Sequence, residues 1–147
     1  MVKWITLDPN VINREQKKFI RGVEVKLYAS PQDVPEAVRG GYDPVRRKFV
    51  IKFRYAAGEE PLNTSKYDDN ITLFLGKKSR RLHEVEIDVD RMKAEQVGLS
   101  VEFKQALPKA IEWLSKQDEG ASREGNYTVA KEVISHRADE LLQGAGA

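Results

Sequence analysis

The segment 47–55 (RKFVIKFRY) puts Phe49, Ile51, Phe53 and Tyr55 on one side and Lys48, Lys52 and Arg54, with Val50, on the other. Successive strand side chains point to opposite faces, so this alternation requires a strand with one buried face. The same period recurs at 71–75 (ITLFL), where Ile71, Leu73 and Leu75 point inward and Phe74 outward. At 82–89 (LHEVEIDV), Val85, Ile87 and Val89 oppose Glu84, Glu86 and Asp88, and 23–28 (VEVKLY) alternates likewise. Four strands, 23–28, 47–55, 71–75 and 82–89, predict an antiparallel β-meander with one solvated face.

Flanking signals supply the rest of an α+β plan. Residues 3–7 read as a short strand or extended arm. Asp8-Pro9 provides an N-cap and a first-turn proline for an N-terminal helix, with Val11, Ile12, Phe19 and Ile20 as its stripe and Gly22 as its stop. Ser30-Pro31 opens a turn or one-turn helix closing at Gly40-Gly41, and the polar stretch 56–69, with Gly58 and Pro61, reads as a long surface loop. After residue 90 the period becomes helical, first over 90–97 up to Gly98. Residues 99–103 fit strand or helix. A helix is expected from about Leu107 to Gln117, burying Ala110, Ile111 and Leu114, with Pro108 in its first turn or at a kink. The last helix, about 127–143, carries Ala130, Val133, Ile134, Ala138 and Leu141 as one stripe. Strands first and helices later predict C-terminal helices packed on one face of the sheet. The 147 residues, 40% hydrophobic, suit one domain over 1–147, with a short flexible Gly-Ala tail at 144–147.

There is no cysteine, which excludes disulfides, thiolate metal sites and thiol nucleophiles. The opening MVKWITLDPN lacks the apolar run of a signal peptide, and no stretch has the ~20 apolar residues of a spanning helix. A cytoplasmic location without membrane contact is the expectation. Charge is lopsided: residues 1–81 hold 17 Lys/Arg against 10 Asp/Glu, and residues 82–147 hold 8 against 13. The halves therefore carry +7 and −5 and sum to the chain's +2. Either the basic half meets an anionic partner or the halves neutralise each other, and the near-zero sum favours the second.

No catalytic, metal or cofactor signature emerges, and no cofactor is expected. His83 shares the parity of Val85 and Ile87 and so reads as a rim histidine, while His136 faces away from the last helix's stripe between Glu132 and Glu140. Glu84, Glu86 and Asp88 form a carboxylate row about 6.6–6.8 Å apart, too wide for two neighbours to share one cation and suited to ion pairs with Lys48, Lys52 and Arg54. Gly76-Lys77-Lys78-Ser79 lacks the spacing of a phosphate-binding loop and joins two strands. The whole turn, with Lys77, Lys78, Arg80 and Arg81, is a stronger candidate. In a simple meander it falls at the same end of the sheet as Arg46, Arg47 and Lys48, and Lys52, Arg54 and Phe74 extend the patch. Cations around an exposed ring are what a single-stranded nucleic-acid binder uses. Arg137 falls inside the last helix's apolar stripe, so it must snorkel, meet a carboxylate or cross a subunit boundary. The leading expectation is a small non-catalytic interaction or regulatory protein binding another protein or itself, with Arg137 as an oligomer contact. The alternatives are a nucleic-acid binder using the basic turn 77–81 and Phe74, and a hydrolase centred on His83 with Glu84 or Glu86.

Overall fold

A computed structural model of the chain describes residues 4–7, 15–28, 31–88, 99–117 and 121–142. Its strands are β1 (Ile5–Thr6), β2 (Glu15–Ile20), β3 (Val23–Tyr28), β4 (Ala37–Asp43), β5 (Lys48–Arg54), β6 (Leu62–Lys66), β7 (Ile71–Gly76) and β8 (Leu82–Ile87). Its helices are α1 (Leu99–Gln117), α2 (Ala121–His136) and α3 (Ala138–Leu142), with a 3-10 turn at Pro31–Asp33. The fold is α+β around a fully antiparallel six-stranded sheet ordered β1-β4-β5-β8-β7-β6, and β2 and β3 form a separate hairpin.

The alternating segments are the sheet's interior. Phe49, Ile51, Phe53 and Tyr55 on β5 and its end, Ile71, Leu73 and Leu75 on β7, and Val85 and Ile87 on β8 are all buried. They share one apolar cluster with Leu107, Ala110, Ile111 and Leu114 of α1, Tyr127, Ala130 and Ile134 of α2, and Ala138 and Leu141 of α3. Burying a large aliphatic or aromatic side chain stabilises by roughly 1.5–3 kcal/mol, so this cluster is the main favourable term. No helix among the described residues is long and apolar enough to cross a membrane.

The strand count and order differ from the simple meander. Residues 15–20, expected to finish an N-terminal helix, form β2, while 8–14 lie outside the described residues. Arg21 and Gly22 both have positive φ, 53° and 79°. That makes a two-residue hairpin turn whose twist matches the strands it joins. Gly22 therefore turns a hairpin instead of stopping a helix, and 23–28 pairs with β2 rather than with the main sheet. The 3-10 turn at Pro31–Asp33 matches the one-turn helix expected there, but Gly40-Gly41 lies within β4. β6 occupies part of the expected loop 56–69; its polar LNTSK sequence belongs to an edge, where alternation is not enforced.

Helix α1 begins at Leu99, which resolves 99–103 as helix and places Pro108 in the interior, not the first turn. The last helix is two: α2 starts at Ala121 and ends at His136, and α3 resumes at Ala138. Across that junction, Arg137 N donates to Val133 O and Leu141 N to Arg137 O, so the axis continues. The helix expected at 90–97, Val89 and the tail at 144–147 lie outside the described residues.

Candidate functional site

On the sheet's outer face, away from the apolar cluster, register sets Arg39, Lys52, Glu84, Phe74 and Thr64 in one row across β4, β5, β8, β7 and β6. The turn before β5 aims a further cation along this face. Asp43 Oδ1 accepts the amides of Val45 and Arg46 at 2.9 and 3.2 Å, and Arg47 closes the turn at φ 58°. Arg46 then reaches Glu84 at 3.0 Å and Glu86 at 2.8 Å. Burial opposes charge on this guanidinium, but the two carboxylates outweigh it and raise its pKa. Lys48 meets Asp88 at 2.8 Å, and Lys52 stands 3.9 Å from Glu84. The carboxylate row is thus an ion-pair ladder that joins the basic half of the chain to the acidic half.

The expected cationic convergence does not form. Because β8 lies between β5 and β7, those two strands run in the same direction, so residue 47 and residue 76 lie at opposite ends of the sheet. At the far end, Arg81 is nearly buried and donates to Asp33 at 2.8 Å, 5.7 Å from the Tyr55 ring. Lys77 and Lys78 are exposed, and Arg80 is half-buried with φ 64°. Arg54 pairs with Glu36 at 3.0 Å. Phe74 is half-buried between Thr64 and Glu84 instead of standing free as a stacking platform. Arg137 is half-exposed and meets Glu140 at 2.7 Å, and His136 is exposed.

His83 is 8% exposed and packs edge-on against Tyr55 at 5.0 Å between ring centres. Its carboxylate neighbour is Glu60, whose Oε2 lies 3.4 Å from Nε2, rather than Glu84 or Glu86. The other Glu60 oxygen accepts the amides of Lys78 and Ser79, both at 3.0 Å. Gly76 makes room for this, since a Cβ there would strike the Glu60 carboxylate and the Ser79 hydroxyl. Burial opposes ionisation of Glu60. The Ser79 amide and hydroxyl, the Lys78 amide and His83 overcome it and hold the carboxyl down at about 2. Burial also pushes the His83 imidazole below its ordinary value, against the pull of Glu60. A hydrolytic relay needs the imidazole between hydroxyl and carboxylate. Here the Ser79 hydroxyl turns to the carboxylate, which is a structural clasp on the β7–β8 turn, while His83 Nε2 stands 3.4 Å from it, buried without a hydrogen-bond partner among the described residues. Among the described residues no three His, Asp or Glu side chains converge as metal ligands.

Both Glu60 and His83 resist protonation in the fold, so acid is expected to destabilise it in two stages. Below about 6.5 the unfolded chain binds the proton that His83 refuses, and stability begins to fall. The Glu60 contribution, whole above its ordinary value of 4.5, is then lost as pH drops through about 2. Urea midpoints measured against pH should show both limbs, with His83→Gln removing the first and Glu60→Gln the second. A His83→Gln curve parallel to wild type between neutral pH and the Glu60 limb would contradict this assignment.

Two depressions open on the outer face. The larger, about 580 Å³, is bounded by Trp4, Arg39, Lys52, Arg54, Glu60 and His83 among others. The smaller, about 280 Å³, lies between Arg39, Tyr42, Pro44, Val50 and Lys52. They share Arg39 and Lys52 in their linings. The Trp4 ring forms one wall, with the guanidinium groups of Arg39 and Arg54 at 4.6 and 5.0 Å from its centre. Trp4, Arg39 and Glu60 were not among the candidates that patterning picked out. Arg39 sits in a strand read as a turn, Glu60 in a segment read as a loop, and Trp4 just before β1, in a stretch read only as a short strand or arm. Comparison with protein-family models, curated proteins and solved structures returns no match.

Proposed function

We propose that this chain is a non-catalytic interaction protein that binds a protein partner through the outer face of its sheet. One observation carries the reading. Both depressions open on that face with Arg39 and Lys52 in the lining of each, and Pro44 of the smaller one adjoins Val45, whose side chain is 91% exposed. Large side chains exposed beside a concave, mixed-charge surface are typical of recognition sites. The ion-pair ladder supports the same reading, because Arg46, Lys48 and Arg54, three of the cations a nucleic acid would use on that face, are engaged by carboxylates. Self-association through Arg137 has weaker support, since Glu140 already holds that guanidinium. The His83 cleft lends hydrolysis little support, because the Ser79 hydroxyl beside it turns to Glu60 rather than to the imidazole.

A photo-crosslinking residue at Val45, compared with one at exposed Lys109 on α1, tests this in cells making the chain. Discrete protein adducts from position 45 and none from position 109 are expected. Adducts from both faces alike, or from neither, overturn the outer-face reading. Adducts removed by nuclease transfer it to nucleic acid, with the exposed Lys77 and Lys78 as the first residues to substitute.

A further inference from the structure

We infer that the outer face takes an extended segment of a partner protein, with an apolar side chain and a single carboxylate two residues apart. This rests on the outer-face reading and specifies its ligand. The smaller depression sets apolar Val50, only 6% exposed, and Pro44 beside charged Arg39, Lys52 and Asp43, and exposed Val45 follows Pro44 in the adjoining turn. The next outward position on β5 is Lys52, and Arg39 is its partner on β4. Among the described residues Arg39 faces the Trp4 ring and no carboxylate within ion-pair distance. Lys52 is 3.9 Å from Glu84, an oxygen already bonded to Arg46 at 3.0 Å. Two cations common to both depressions therefore retain capacity for one more anion.

Spacing selects the ligand's conformation. Val50 and Lys52 are two residues apart on one strand face, a separation of about 6.6–6.8 Å. An extended peptide repeats same-side groups at that interval, so its apolar side chain meets Pro44 and Val50 while its carboxylate reaches Arg39 and Lys52. A helical ligand matches this less well, because its same-face neighbours are about 5–6 Å apart and turn away along the axis. A polyanion fits poorly too: Asp43, Glu36, Glu59, Glu60 and Glu84 line the same surface and repel every phosphate beyond the first.

A random peptide library displayed on phage, panned against the intact chain, tests the inference directly. Enriched sequences should carry Asp or Glu two residues from Leu, Ile, Val or Phe. A fluorescein-labelled peptide of that pattern should lose about tenfold or more in affinity when Arg39→Gln and Lys52→Gln are combined, or when its own acid becomes an amide. Val45→Ser, at a position too exposed to disturb folding, should weaken the same peptide while melting at the wild-type temperature. Enrichment without an acid, no enrichment, or affinity indifferent to these variants overturns the inference. If photo-crosslinks at Val45 persist in that event, the outer-face reading stands without this ligand. Tighter binding of oligothymidylate than of any enriched peptide overturns both.

Discussion

Asn126→Ala is expected to lower unfolding free energy by about 3–4 kcal/mol, against about 1 kcal/mol for an ordinary substitution. Asn126 is fully buried in the second turn of α2. Its Nδ2 donates to Asp33 O at 2.7 Å and to the Tyr55 hydroxyl at 2.9 Å, and its Oδ1 accepts the Leu82 amide at 2.9 Å. Tyr55 in turn donates to Leu82 O at 2.6 Å. Burial pushes the Tyr55 phenol well above its ordinary value, so it remains a neutral donor at any physiological pH. Alanine strands the Leu82 amide and the Asp33 carbonyl in a dry interior, each at a cost of about 1–3 kcal/mol. Tyr55→Phe removes one hydroxyl and leaves the asparagine two partners, so about 1–2 kcal/mol is expected. Urea unfolding of both single variants and the double gives the coupling, which should be well above zero because they share a bond. An Asn126→Ala loss below that of Tyr55→Phe would contradict the asparagine's central place.

The position of this network explains why its loss should reach the binding face. It joins the 3-10 turn, the end of β5, the start of β8 and α2 at one corner of the sheet. The Tyr127 hydroxyl reinforces it by donating to Arg80 O at 2.8 Å. Leu82 precedes His83, and Tyr55 precedes the segment carrying Glu60, so the corner also fixes one wall of the larger depression. Hydrogen exchange in Asn126→Ala should therefore accelerate first at residues 82–84 and in the 77–81 turn.

Patterning made the centre of the sheet legible because burial of one face enforces alternation. β5, β7 and β8 follow from Phe49, Ile51, Leu73, Val85 and Ile87 alone, and the buried helical positions follow from Ile111, Leu114, Ile134 and Leu141. The edges obey weaker constraints. β6 is polar because its surroundings are wet, and β4 carries two glycines where alternation would ask for side chains. Strand order is a long-range property. Nothing within 82–89 says that it pairs with 49–52 as well as with 71–75, and that one pairing relocates the basic turn. The carboxylate row was recognisable, and so were its cross-strand partners Lys48 and Lys52. Arg46 was not, because its reach depends on a turn held by Asp43. Tertiary placement decided the candidate site more than residue type did.

Gly40→Val should destabilise the fold by about 3 kcal/mol or more, and Gly40→Ala by about 1–2 kcal/mol. Gly40 lies on β4 opposite Ile51 and faces α3. A Cβ there would stand 3.0 Å from Leu141 O, 3.1 Å from Phe49 Cζ and 3.3 Å from Leu141 Cβ. The Phe49 ring is fully buried, and the Leu141 oxygen is helix backbone, so neither yields as an exposed side-chain tip would. Alanine needs shifts of a few tenths of an ångström, partly offset because glycine in a strand costs about 0.5–1 kcal/mol relative to alanine. Valine adds two methyl groups where one atom is already crowded. Although β-branching favours strands, that preference spans only ~1 kcal/mol and cannot compensate. The displaced element should be α3, which is five residues long and joined to α2 through Arg137. Amides of 138–142 should exchange faster in the valine variant, while β5 and β8 keep their protection. Wild-type stability in Gly40→Val would mean that α3 does not lie against β4, and the apolar cluster would then have to close over the sheet in another way.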